Sequence, residues 1–179
     1  VPRAREGLTF ALLFALAGCR SEPVPSIHVV LGPAASDEAT FTPRAALAEL
    51  IEVSPSETTL LVHLTSSERT CDAVAPASVE EVAVALRLTL PAGVKLVPGR
   101  FPRPPAVEGT APLVTTVKLR GRKHELRPGG ELSLSRIDAS PQGVLEGLLK
   151  LEFAGDAEQP ATRVSGRFLA HFCKINRLR

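Results

Sequence analysis

Methionine, tryptophan and tyrosine are absent from this chain, and its only asparagine is Asn176. All seven aromatic residues are Phe. Sugars and single-stranded nucleic acids are usually held by stacking on flat rings, so this scarcity counts against both as ligands. An excess of charge is missing too. The 21 Lys and Arg meet 19 Asp and Glu, so neither nucleic acid nor another polyanion is implied as a partner. The familiar catalytic signatures do not occur: there is no Gly-x-Ser-x-Gly elbow, no Gly-x4-Gly-Lys-Ser/Thr loop, no His-Glu-x-x-His and no Cys-x-x-Cys. The four histidines, His28, His63, His124 and His171, are far apart in sequence. A zinc site needs three or four converging ligands, so no metal or other cofactor is expected.

What the chain does have begins at its first residues. Arg3 and Arg5 are followed by an almost unbroken apolar run from Leu8 to Ala17. That run is too short for a permanent membrane helix, which needs about 20 apolar residues, and it has the length of a cleaved secretory signal. With no Met present, a GTG start codon read as Val1 accounts for a signal that starts at once. The run ends in Leu16-Ala17-Gly18-Cys19. This resembles the lipobox of bacterial lipoproteins, in which small residues suit the signal peptidase and the Cys thiol takes up the lipid. The resemblance covers residues 1–19. It implies a signal peptide at 1–18, lipidation with palmitate-type acyl chains at Cys19, and the lipid bilayer as partner. An Asp directly after that Cys is an inner-membrane retention signal in many Gram-negative bacteria. Arg20 stands there instead, so an outer-membrane location is expected.

Cleavage leaves about 160 residues, enough for one domain and a tether. Residues 19–26 read as the polar, Pro-bearing tether and 27–179 as a single β-rich domain. With Cys19 lipidated, Cys71 and Cys173 remain. In an oxidising compartment a disulfide is their natural state; two free thiols, or metal ligation with ligands from elsewhere, are the alternatives.

Alternation of apolar and polar residues dominates the rest. Val82, Val84, Leu86, Leu88 and Leu90 share one face of a half-buried strand. Leu145 to Phe153 and Val164 to Phe172 follow the same period, and shorter runs occur at 27–31, 58–65, 113–120 and 131–137. Pro and Gly clusters at Arg127-Pro128-Gly129-Gly130 and Ser140-Pro141-Gln142-Gly143 read as tight turns, the first of them a hairpin turn. Such a series predicts an antiparallel β-sandwich or barrel-like domain. One short helix is expected near 43–51, where Thr42 caps, Pro43 takes the first helical position, and Ala, Leu and Glu follow. A single helical turn at 76–81, before the 82–90 strand, is a further expectation. Five prolines within 98–112 predict a long, stiff surface loop.

The closing strand Gly166-Arg167-Phe168-Leu169-Ala170-His171-Phe172-Cys173 resembles uncharacterised secreted lipoproteins of the myxobacterial type. Those end in a Gly-x-Phe-x-Ala-x-x-Cys strand bonded back to an earlier Cys. The likeness spans most of residues 58–173. It implies a Cys71–Cys173 bond and carries no activity.

Two functions are compatible with these features. The favoured one is a non-enzymatic binding or structural module of the cell envelope. Its contact surface would be the Pro-rich loop with Phe101 and Arg103, its partner an envelope protein, or the basic group Arg120, Arg122, Lys123 and Arg127, which suits contact with anionic lipid or lipopolysaccharide. The same basic group also reads as a solvated edge strand whose charges block unwanted pairing. The alternative function is a small hydrolase with a dispersed site, gathering His63 or His171 with Ser66, Ser67, Glu68 or Asp72. Glu80-Glu81 and Asp37-Glu38 read as exposed loop carboxylates, and His124 with Glu125 as part of a charged hairpin.

Overall fold

A computed structural model describes residues 24–32, 38–54, 57–71, 80–91, 94–101, 113–126, 129–153, 155 and 161–176. The signal and Cys19 lie outside these residues, as do Arg103, Asp37, Asp72 and most of the 76–81 segment. The described chain is all strand and turn, in eleven strands. These are β1 (Ser26–Leu31), β2 (Glu38–Phe41), β3 (Ala45–Ser54), β4 (Glu57–Thr65), β5 (Ala83–Pro91) and β6 (Gly99–Phe101). Then follow β7 (Leu113–Leu119), β8 (Arg122–Leu126), β9 (Gly129–Ile137), β10 (Val144–Phe153) and β11 (Thr162–Asn176).

The mainly β expectation holds, and the architecture is one curled sheet, a half-barrel, rather than two packed layers. Its strand order is β6-β9-β10-β11-β3-β4-β5-β7-β8, with the β1–β2 hairpin attached to β11 through β1. The long β11 explains the branch. Residues 162–167 of its edge pair with β1, and residues 171–176 pair with β3. Every pairing is antiparallel except β11–β3, so the sheet is mixed. That parallel seam holds only five residue pairs and is interrupted by a bulge between Phe172 and Lys174. It joins two antiparallel blocks.

β8 is the last strand of the path, while β9 lies next to β6 at the other end. Only residues 127–128 connect them, so Leu126 and Gly129 lie within about 11 Å, three Cα steps. The expected hairpin at 127–130 is therefore corrected. β8 and β9 do not pair: β8 ends the strand path and β9 is next to its other end, while residues 127–128 lie outside the described residues.

Alternation settled which face turns inward. Val84, Leu86, Leu88 and Leu90 of β5, Leu145, Leu149 and Leu151 of β10, and Val164, Phe168, Ala170 and Phe172 of β11 are all buried. With Leu60, Val62, Leu64, Leu132 and Phe101 they fill the concave side. Gly147 lies on this face directly opposite Phe168, and a Cβ there would sit 2.6 Å from the ring's Cζ. The glycine in the alternating series therefore makes room for the ring. Gly166 is needed for another reason. Its φ of +139° suits glycine alone, and a Cβ would run into the Ser26 carbonyl of β1.

The helix expected near 43–51 is strand β3. Its helix formers are overruled because strands hydrogen-bond on both sides: β11 on one, β4 on the other. Ala48 lies directly opposite Phe172, and both are buried, so a small residue fits beside a large ring. The Pro-rich stretch is corrected at its start: residues 99–101 form β6 and pair with β9.

Candidate functional site

The face turned away from the core carries the polar residues, and the register arranges them in rows. His171 of β11 lies opposite Leu47 of β3, and Leu47 lies opposite His63 of β4. Continuing across the sheet, the row runs to Ala85, Thr116 and Glu125. The two histidines named by the sequence thus share a row. Leu47 separates them, which places them two strand spacings or about 10 Å apart. No general base and partner are brought together there. His63 is solvent-exposed, yet the packed strands around its ring lower its basicity. Glu49 acts against that shift and Arg69 adds to it.

The densest polar cluster centres on Glu81. Its side chain is 1 % exposed, which overturns its reading as an exposed loop carboxylate; only Glu80 is exposed. Arg69 donates from Nη2 to Oε1 at 2.7 Å and to Oε2 at 2.8 Å, and from Nε to Oε1 at 3.1 Å. The Ser67 hydroxyl donates to Oε1, and Lys118 Nζ stands 3.4 Å from Oε2. Burial alone would raise the pKa of this carboxyl, but the hydrogen bonds from Ser67, Arg69 and Lys118, with the charge of Arg69, outweigh it and hold the pKa below the usual range.

Local sequence explains how the loop reaches this acid. Ser66 N–H donates to the Val82 carbonyl at 2.9 Å, and Val82 N–H donates to Ser66 Oγ at 3.0 Å. Thr65 Oγ1 donates to the Ser67 carbonyl at 2.7 Å. Residues 66–71 are thereby clamped to the start of β5 and to β7. The same loop delivers Cys71 to Cys173, with Cα atoms 5.2 Å apart. The cluster is a clamp on the disulfide-bearing loop. Its acid is saturated by donors, leaving it no free lone pair aimed at a substrate.

A pH dependence follows. The folded-state pKa of Glu81 lies below its unfolded value, so its contribution is complete at neutral pH. It is lost as pH falls from the ordinary carboxyl range through the lower folded value. Glu81→Gln is expected to cost about 2–3 kcal/mol at neutral pH, because Arg69 loses its buried counter-charge while keeping some water. That cost should shrink steadily on acidification. Urea melts at several pH values measure it; a cost independent of pH would contradict the assignment.

Sequence reasoning passed over a second cluster. His28 Nδ1 is 2.7 Å from Thr40 Oγ1, and His28 Nε2 is 3.4 Å from Glu38 Oε1. Hydroxyl, imidazole and carboxylate follow one another as in a catalytic triad. They lie across the exposed face of the β1–β2 hairpin, where water removes the electrostatic advantage a sheltered site would supply. A groove of about 370 Å³ on the same face is lined by Gly130, Lys150, Glu152, Arg163 and Ser165. Glu152 in it accepts from Arg163 Nε at 3.2 Å.

The remaining candidates separate. Arg120, Arg122 and Lys123 are exposed on the β7–β8 hairpin, whose two-residue turn has Arg120 at φ +51° and Gly121 at φ +75°. Phe101 is corrected: at 1 % exposure it belongs to the core and not to a contact surface. Ser66 and Ser67 are consumed by the clamp, and Glu68 is exposed. Among the described residues no three His, Cys, Asp or Glu side chains group as a metal site. No family model, curated protein or solved structure matches the chain.

Proposed function

We propose that the mature chain is a lipid-anchored module of the bacterial cell envelope, held at the outer membrane. It binds or braces an envelope component and carries out no catalysis of its own. The observation that carries the export half of this reading is the Cys71–Cys173 disulfide, since such bonds persist in oxidising compartments. The lipobox residues Leu16 to Cys19 support the anchor. The non-catalytic half is supported by the fate of the polar groups. His63 and His171 are held apart by Leu47, Glu81 is saturated, and the His28 group is open to water. Catalysis needs acids, bases and donors converging in shelter.

Export is tested by alkylation. Cells lysed directly into iodoacetamide should yield protein that takes up no alkyl group on Cys71 or Cys173 before reduction, and one on each afterwards. Free thiols at both positions in freshly lysed cells would place the chain in a reducing compartment and remove this reading.

A further inference from the structure

The position at which the tether joins the sheet limits which surface can face a bilayer. This inference rests on the lipid anchor proposed above. Residues 19–25 separate Cys19 from Ser26, and seven extended residues reach at most about 25 Å. A domain of roughly 150 residues has a radius of gyration near 15 Å and a diameter approaching 40 Å. Its far side therefore cannot be the side that meets the membrane. The near side is the surface around Ser26.

Ser26 does not lie at a sheet corner. It pairs with Arg167 in the middle of β11, because β1 takes the first half of that edge and β3 the second. Val24, just before it, is 71 % exposed. Three exposed arginines stand on the strands near this junction: Arg167 itself, Arg136 on β9 in the row of Leu169 and Glu146, and Arg44, just before β3 and three residues ahead of the Leu47–His171 pair. None of these three is drawn into an ion pair among the described residues, unlike Arg100 with Glu131 or Arg163 with Glu152. Leu169, 39 % exposed, lies two residues from Arg167 on the same side of β11. Its neighbour across β10 is Glu146, which in turn faces Arg136 and is the acid within these rows. Unpaired arginines beside exposed Leu169 and Val24 are the chemistry that suits anionic headgroups over an acyl layer.

We propose that this surface — Arg44, Arg136, Arg167, Leu169 and Val24 — rests on the anionic phospholipid leaflet that holds the anchor, fixing the orientation of the domain on the membrane. The exposed residues Arg122 and Lys123 of the β7–β8 hairpin are not part of this surface.

The test uses the full lipidated protein in vesicles of phosphatidylethanolamine and phosphatidylglycerol doped with a photoactivatable phospholipid. Cross-linked peptides are read by mass spectrometry. Peptides carrying Val24, Arg44 and Leu169 should be labelled at least fivefold more than the peptide carrying Arg122 and Lys123. Arg44→Glu and Arg167→Glu should each lower that labelling about fivefold, since one basic residue at an anionic surface contributes about 1 kcal/mol. Both positions are exposed, so the melting temperature of each variant serves as the check on folding. Protein that floats with the vesicles but labels evenly, or labels first at Arg122 and Lys123, overturns the orientation and leaves the anchor standing. Protein that does not float overturns the anchor and the orientation together.

Discussion

Replacing Cys71 and Cys173 together by Ser is expected to destabilise the domain by about 4–5 kcal/mol. The bond closes a loop with a sequence separation of 102 residues, and constraint of the unfolded chain grows with loop length. The location adds to the expectation. Cys173 lies in the bulge of the β11–β3 seam, the parallel pairing of five residue pairs that joins the two antiparallel blocks. Cys71 follows β4, so the bond ties the two blocks together across β3. Without it, those few irregular pairs must hold the blocks in place. For a domain of this size the loss corresponds to a fall in melting temperature of roughly 10–20 °C. Calorimetry of the double variant beside the wild type measures it. A fall below about 3 °C would show that the seam holds by packing alone.

Phe101→Ala is expected to cost about 3 kcal/mol, the lower end of the range for deleting a buried ring. The ring is 1 % exposed and lies opposite Leu132, also buried. The cost stays at the lower end because β6 has three residues and lies at the edge of the sheet, where the cavity can partly collapse. Phe41→Ala, at a half-buried position on β2, serves as the comparison and should cost less. Denaturant titration of both variants decides the matter. A cost under about 1 kcal/mol for Phe101→Ala would mean the ring is dispensable to the core. Any deletion probing the Pro-rich segment as a contact surface should accordingly begin after Phe101.

What could be read from the sequence was what local period encodes. Every strand with a clean alternation lies where its pattern placed it, and on β5, β10 and β11 the inward face is the apolar one. Segments whose fate depends on distant neighbours were misread. β3 carries Ala, Leu and Glu, which favour helix, and becomes a strand because β11 and β4 bracket it. The Pro-Gly-Gly run has the composition of a hairpin turn, but strand order, which no local residue states, places β8 at one end of the sheet path and β9 next to the other end. Glu81 looked like a loop acid because its partners are 12 and 37 residues away, at Arg69 and Lys118. The His28 pairing left only a faint signal, the short alternating run at 27–31 in which His28 stands between the buried Ile27 and Val29. Its partners lie on β2, a four-residue strand inside a stretch that showed no period.

Export, cleavage before Cys19 and attachment to a membrane through lipid are the central proposal for this chain. The most direct measurement is mass spectrometry of the N-terminal peptide of protein extracted by detergent from isolated membranes. The predicted result is a peptide that begins at Cys19 and carries the mass of a diacylglyceryl group, with or without a further acyl chain on its amino group. An unmodified Cys19, or a mature N-terminus at any other residue, would contradict it.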